Sequence, residues 1–547
     1  MHANQVLIVL CILYSSLRRG SAEVFTAIAD LEKLLENERL VVDTLERFLD
    51  EEEQRMDQIR KYTTELKNIY ATANDNLEKF IAHPVNVYLF VKKLTLDWKQ
   101  AEDLLNQALG RVYLEDIYGI RSDSNYPIPT DEDLNGVAVA LSRLQDTYRI
   151  DSEAIAEGRI KGVAKSPSLT ALECFELGKV FYNFKDYDHS MEWMRTALHR
   201  MNEYFMINET FSRADVLEYL AFSSYLKGEL NDAVRFTRDI LDVQPSHERA
   251  QNNLWHYNQE MALLNSGRKK GDDGNTVATK KQLIEKKSDK WADERRTYEI
   301  LCRGEKQFKP SVDKHLNCFF TANDPYLFVQ PVKSELVHKD PDVIIYHDVI
   351  SDREIGVIKS LAVPRLQRAT VQNAVTGELE TAHYRISKSA WLKSTDDPVI
   401  DRVNKRIAAI TGLDTDYAEE LQIANYGIGG HYEPHFDFAR KAETKVFTSL
   451  GMGNRVATML FYMSDVEAGG ATVFPKLNLA LWPKKGSAAF WYNLHKNGEG
   501  DVRTRHAACP VLSGVKWVSN KWIHEYGQEW HRPCELEPDG YEPEEMY

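Results

Sequence analysis

Two histidines and one aspartate hold most of the chemical information in this 547-residue chain. His435 and Asp437 are separated by one residue, so on a β-strand their side chains share a face. A distant second histidine, His506, completes a set of two imidazoles and one carboxylate. Such a facial triad leaves half the positions of an octahedral Fe(II) open, which suits an ion that must take a cosubstrate and O2 together. Lys516 follows ten residues after His506 and supplies a positive charge for a dicarboxylate. The spacing therefore predicts an iron- and 2-oxoglutarate-dependent oxygenase, with His435, Asp437 and His506 on the metal.

An H-x-D pair alone is weak evidence, because about one match is expected by chance in a chain of 16 histidines. A second match, His338-Lys339-Asp340, runs straight into Pro341 and reads as a turn. Around the first match, Leu421 to Tyr426 alternates like a strand, Gly427, Gly429 and Gly430 make a turn, and an aromatic strand resumes at Tyr432. Lys516 sits among Val515, Trp517, Val518 and Trp522, which argues against a solvated lysine and for a buried cation needing an anion. Tyr426 and Thr472 are expected to add hydrogen bonds to the same cosubstrate carboxylate. Arg455 and Tyr432 are expected to position a peptide substrate.

Apolar residues make up 43% of the chain and charged residues 28%, with a net charge of −15. That acidity argues against general nucleic-acid binding. Val6 to Tyr14 is a short apolar run before Gly20-Ser21-Ala22, so residues 1–22 read as a secretory signal peptide. No later stretch is long and apolar enough for a membrane span, and a lumenal or secreted protein is predicted. Beyond Cys11, the cysteines are Cys174, Cys302, Cys318, Cys509 and Cys534. Sequence-local pairing would join Cys302 to Cys318 and Cys509 to Cys534, leaving Cys174 single; no C-x2-C supports zinc. Asn208 begins a glycosylation sequon, and the C-terminus carries no ER-retention tetrapeptide.

Positioning the triad requires several domains. Residues 23–150 read as a helical dimerisation region. Alternate steps of three and four from Ile28 meet Leu31, Leu35, Val42, Leu45, Leu49, Met56 and Ile59, a coiled-coil seam suited to self-association. Residues 165–262 read as tetratricopeptide-like helical repeats, with Gly178 and Ala221 equivalent and Ser190 and Ala233 equivalent. Tyr182 and Tyr225 then match, with Tyr187, Tyr219 and Phe222 nearby. Such a row is either repeat core or a groove for polyproline-II peptides. Residues 263–292 form a polar linker. From 293 to 547 short strands follow one another with helices near 352–361 and 397–411, which predicts a double-stranded β-helix (jelly-roll) oxygenase domain.

The motifs Tyr-Glu-Pro-His-Phe-Asp-Phe at 432–438, Gly-Gly-Ala-Thr-Val-Phe-Pro at 469–475, Thr-Arg-His-Ala-Ala-Cys-Pro-Val-Leu at 504–512 and Lys-Trp-Val-Ser-Asn-Lys-Trp at 516–522 resemble the catalytic α subunit of collagen prolyl 4-hydroxylase. Cys-Phe-Glu-Leu-Gly-Lys-Val at 174–180 looks like that family's peptide-substrate-binding domain, and the heptads look like its dimerisation region. The resemblance implies iron at His435, Asp437 and His506, 2-oxoglutarate at Lys516, O2 as cosubstrate and ascorbate as reductant. It also implies an α2β2 tetramer in the ER lumen with protein disulfide isomerase as β subunit, and proline in procollagen Gly-X-Y repeats as substrate. The two local disulfides would fit the same pattern. Phe222 and Asp188 stand where the resemblance leads one to expect tyrosines. Another lumenal hydroxylase, such as a lysyl hydroxylase, and a non-catalytic collagen-binding chaperone are the alternatives.

Overall fold

The computed structural model describes residues 23–121, 129–160, 162–203, 211–265, 292–305, 316–373, 376–443, 445–447 and 450–536. Residues 1–22, read above as a signal peptide, Asn208 and most of the expected linker lie outside the described residues. The chain divides into two compact units, one of residues 30–129 and another of residues 25–29 with 130 onward.

The first unit is built on a 48-residue helix, Ile28–Asp75. Shorter helices, among them Trp98–Asn106 and Leu109–Arg121, return along one of its faces. Phe48 meets Tyr113 at 5.6 Å between ring centroids, and Arg55 donates to the Leu104 carbonyl at 2.9 Å. Val41 and Thr44 are buried on that face, whereas the seam residues Leu35, Val42, Leu45, Leu49 and Met56 are exposed.

In the second unit, the helix Asp131–Tyr148 precedes five helices, Ala171–Asn183, Tyr187–Glu203, Arg213–Lys227, Leu230–Val243 and Glu248–Asn265. Thr170 and Ser212 cap two of them through paired bonds with Glu173 and Asp215. Gly178 is small for a reason: a Cβ there would lie 2.8 Å from Met194, and Ser190 bonds the Gly178 carbonyl at 2.9 Å. Asp131–Tyr148, the last helix of the residues read above as the N-terminal region, packs within this unit. Its Gln145 accepts from Trp193, and its Arg143 donates to the Gly429 carbonyl.

Two sheets follow. The nine-stranded sheet runs Cys318–Thr321, Val332–His338, Val343–His347, Ala488–Tyr492, Arg455–Tyr462, Lys516–His524, Leu421–Tyr426, Lys388–Leu392 and Gln367–Arg368. The four-stranded sheet runs Leu479–Leu481, Thr472–Phe474, His506–Ala508 and Tyr432–His435. Helices Asp352–Ala362 and Pro398–Thr411 pack an aliphatic core with the larger sheet, while Ala424, Leu460, Phe474, Trp491 and Val518 form a second cluster joining strands of both sheets.

Residues 25–29 lie against the glycine turn. Gly427 donates to the Thr26 carbonyl at 2.9 Å, and Ala29 donates to Asn425 Oδ1 at 3.2 Å. A Cβ on Gly427 would sit 1.9 Å from the Phe25 carbonyl oxygen, so only glycine fits.

Candidate metal centre and cosubstrate pocket

Antiparallel pairing sets His435 directly opposite His506, with ring centroids 4.4 Å apart. The strand ends at His435, and Asp437 occupies the bend beyond it rather than the same strand face. Pro434, which has no N–H to give the ladder, helps explain the early end. The bend still delivers the carboxylate. Asp437 Oδ1 lies 3.7 Å from His435 Nε2, and its Oδ2 lies 3.6 Å from His506 Nε2. Both separations exceed hydrogen-bond length, and one ligand atom from each residue falls within 4.8 Å of the others, a spacing that can hold a metal ion.

The ligand orientations are fixed from behind. His435 Nδ1 meets the Glu433 carbonyl at 2.8 Å and His506 Nδ1 the Thr504 carbonyl at 3.0 Å, which leaves each Nε2 lone pair facing inward. Burial, reinforced by His506, pushes the His435 pKa well below its ordinary value, so the ring is neutral as a metal requires. Burial alone would raise Asp437, but His506, His435, Arg455 and a bond from Thr458 hold it at about 2. That bond is 2.7 Å long and ends a buried relay: Trp491 Nε1 donates to Asn493 Oδ1, Asn493 donates to Thr458, and Thr458 donates to Asp437. Thr458, Asn493 and Trp491 were missed by sequence reasoning. Thr458 and Trp491 sit on neighbouring strands and Asn493 just past the second, with no motif to mark them.

Beside the triad lies a narrow cavity lined by Tyr426, Thr472, His506, Lys516 and others. Lys516 is 1% exposed and its Nζ has no hydrogen-bond partner. Burial pushes the ammonium down to about 7. Its nearest compensation is the Tyr426 ring, 4.8 Å away and register partner on the adjacent strand. Thr472 accepts from Tyr462 at 2.9 Å, so its own hydroxyl proton remains available to an anion. An orphaned buried cation next to an open triad fits a small dicarboxylate that reaches the metal with its other end.

On the other side the triad opens into a cleft of about 670 Å³. Tyr432 stacks on His435 with centroids 3.5 Å apart. Arg455 lines the cleft but is engaged: it pairs bidentately with Glu419 at 2.5 and 3.0 Å and lies 3.8 Å over the Trp522 ring. His524 Nε2 meets the same Glu419 oxygen that accepts from Arg455 Nε, at 2.9 Å. Against the cost of burial, Arg455 and His524 keep Glu419 at about 2. Arg385, also unforeseen, sits 4.9 Å over the Tyr432 ring and bonds Gln422 and the Thr370 carbonyl.

The repeat helices bring Tyr182 and Tyr219 together at 5.0 Å, edge to face, with Tyr187 5.9 Å from Tyr182. Tyr182, Tyr219, Phe222 and Arg249 line a groove of about 390 Å³. Tyr225 stacks instead on Tyr257, outside the groove lining.

Three family models match the chain: the prolyl 4-hydroxylase alpha-subunit N-terminal region at 27–162, the prolyl 4-hydroxylase peptide-substrate-binding domain at 171–263, and the 2OG-Fe(II) oxygenase superfamily at 421–524. Prolyl 4-hydroxylase subunit alpha-1 of Mus musculus is 46% identical over 522 residues, spanning 94% of this chain and 95% of its own. Subunit alpha-2 of Caenorhabditis elegans is also 46% identical, over 95% of this chain and 94% of its own. The chain belongs to the prolyl 4-hydroxylase alpha-subunit family. A solved viral collagen prolyl hydroxylase from Paramecium Bursaria Chlorella virus-1, in complex with 2OG, is 25% identical, covers 33% of this chain and 94% of its own, and has a TM-score of 0.26.

For this alpha-subunit relative, iron(II) and 2-oxoglutarate are the groups that the donor set and Lys516 fit. The cysteines differ from expectation. Cys302 bonds Cys509, and Cys318 and Cys534 are free and exposed. Cys302–Cys318 and Cys509–Cys534 do not form, because Cys302 ends a helix packed on the strand region that carries Cys509, with Cα atoms 5.5 Å apart. Cys318 begins the far edge strand of the larger sheet instead.

Proposed function

We propose that this chain hydroxylates peptidyl proline to 4-hydroxyproline in Gly-X-Pro repeats of procollagen, consuming O2 and 2-oxoglutarate and releasing succinate and CO2. The observation that carries the reading is the His435–Asp437–His506 cluster, flanked by an unpaired buried lysine on one side and an open cleft on the other. His435, Asp437 and His506 would hold the iron, with the relay from Trp491 restraining Asp437. The metal supplies the means of activating O2 against the cosubstrate. Lys516, with Tyr426 and the free proton of Thr472, would bind the distal carboxylate of 2-oxoglutarate and exclude water from it. Tyr432 and Arg455 would shape the cleft that receives the peptide, Arg455 as a platform fixed by Glu419. Ascorbate would restore iron oxidised without substrate turnover.

The repeat domain would gather proline-rich chain ahead of catalysis. Tyr182 and Tyr219 form the groove, and Tyr187 and Tyr225 extend the aromatic surface beside it. Aromatic faces suit polyproline II because that conformation is already extended and little entropy is lost on docking. The exposed seam on Ile28–Asp75 supports self-association as a coiled coil. The two sheets support reading the catalytic domain as a double-stranded β-helix. We read the assembly as an α2β2 tetramer in the ER lumen, with protein disulfide isomerase as β subunit. Among the described residues no helix is long and apolar enough to cross a membrane.

The test is turnover of a (Pro-Pro-Gly)-repeat peptide by the chain co-expressed with protein disulfide isomerase, given iron, 2-oxoglutarate and ascorbate. Coupled succinate and 4-hydroxyproline, abolished by His506→Ala, are expected. Succinate without hydroxyproline would reject the substrate, and neither product from iron-loaded protein would reject the reaction.

A further inference from the structure

We propose that the cavity behind the metal-bearing strand is a second ligand site that accepts a small monocarboxylate. The space measures about 480 Å³ and is wedged between the helices Asp131–Tyr148 and Ala292–Cys302 and the chain at 431–434. Volumes of this order suit small organic ligands. Val139, Arg143 and Asp146 reach it from one helical face, and Tyr298 from the other helix.

Charge accounting singles out one residue. Of the arginines lining the cavity, Arg295 pairs with Glu299 at 3.3 Å and Arg505 with Glu294 at 2.7 Å. Arg143 has no such partner among the described carboxylates. One of its five N–H donors goes to the Gly429 carbonyl at 3.0 Å, and its burial lowers the guanidinium to about 10. His431 lines the same cavity, is 3% exposed, and has no partner at Nδ1. Burial, then the Arg143 charge, keeps that ring neutral. A half-buried guanidinium with no carboxylate on it is poorly compensated, and the neutral His431 ring leaves Nδ1 as an acceptor in want of a donor. A carboxylate accepts the remaining Arg143 N–H groups, and water held beside it can donate to His431 Nδ1.

The anion carries one charge. Asp146 and Glu433 line the cavity and are exposed, and Glu433 already acts on the Arg143 charge, so a second negative charge meets repulsion. A carboxylate with a short apolar tail can set its charge on Arg143 and its tail on Val139 and the Tyr298 ring. Pro434 and Arg505 line both this cavity and the substrate cleft, and each immediately precedes a histidine of the triad. A ligand here therefore touches the backbone neighbours of both His435 and His506, and acts as an effector rather than as a substrate.

Saturation-transfer difference NMR on the full chain in its expressed assembly tests this, with 2-oxoglutarate saturating, butyrate as probe and methylphosphonate as the phosphate-like comparison. Butyrate should show transfer and bind about tenfold weaker, the scale of one lost charged hydrogen bond, in Arg143→Met. Ser142→Leu, which narrows the cavity and leaves the charge, should weaken it similarly, and decides the matter if Arg143→Met melts early. Lys516→Met should bind butyrate as the unaltered chain does. Absence of transfer, binding retained in both cavity variants, loss in Lys516→Met, or tighter binding of methylphosphonate would each overturn the proposal.

Discussion

Lys516→Met should move stability and cosubstrate affinity in opposite directions. Methionine keeps the unbranched shape of the lysine stem and removes the charge. Lowering the ammonium from 10.5 to about 7 corresponds to roughly 4 to 5 kcal/mol of unfavourable burial in the ligand-free fold. That penalty is complete below about pH 7, where the folded lysine is still charged. Between about 7 and 10.5 the unfolded chain binds a proton that the folded chain has released, so stability rises with pH. At neutral pH the variant without 2-oxoglutarate should therefore melt above the unaltered protein, and its advantage should shrink as pH rises. Binding runs the other way. Losing the partner of a buried carboxylate costs about 2 to 5 kcal/mol, a weakening of about thirtyfold or more. Because only the charged lysine attracts the carboxylate, the 2-oxoglutarate Kd of the unaltered chain should rise about tenfold from pH 6 to pH 8 around a pKa near 7. In Lys516→Met the Kd should stay flat. Anaerobic titration with iron present, paired with thermal melts, reads both effects. A variant that melts lower and binds 2-oxoglutarate as before would refute the assignment.

Thr458→Val removes the 2.7 Å bond to Asp437 and strands the Asn493 amide. Iron affinity, measured against a competing chelator, should fall about 10- to 100-fold, and an unchanged value would show the relay to be idle. Glu419→Gln leaves Arg455 charged and uncompensated, so the chain should lose about 3–5 kcal/mol at neutral pH. Because folded Glu419 is held near 2 against an ordinary 4.5, its contribution is present above about pH 4.5 and lost as pH falls toward 2. The difference in Tm between the two proteins should narrow over that range. Non-reducing peptide mapping should recover Cys302 linked to Cys509, with Cys318 and Cys534 open to alkylation; the two local pairs would contradict the structure.

Much of the site was legible because its chemistry is unusual for its surroundings. A lysine among tryptophans and valines advertises burial, and the H-x-D spacing with a distant histidine limits the metals that fit. Reading Asp437 as a strand residue failed because the strand ends at His435, yet the bend delivers the carboxylate all the same. The decoy runs from a strand end at His338 into a turn at 339–342, and His338 Nδ1 meets the Pro341 carbonyl. Thr458, Asn493 and Glu419 were invisible because each is an ordinary strand or loop residue until sheet pairing sets it beside the triad or Arg455. The disulfide failed for the same reason. Cys302 and Cys509 lie 207 residues apart in sequence, and nearness in sequence is a poor guide once a helix folds back across a sheet. Arg455, expected to position a peptide, lines the cleft, but its ion pair with Glu419 could not be read from residue types.

The contact between residues 25–29 and the glycine turn also sets a schedule for synthesis. Ala29 leaves the ribosome first and finds its acceptor only when Asn425, 396 residues later, has followed. At roughly 5–20 residues per second that interval is about 20 to 80 s. Through it, the backbone of residues 25–29 lacks its partners at the glycine turn, although the Phe25 ring can already meet Gly136. A catalytic fragment begun after residue 29 would lack this piece entirely. The Gly427 turn would lose its cover, and the fragment would be judged less stable than the same domain inside the whole chain.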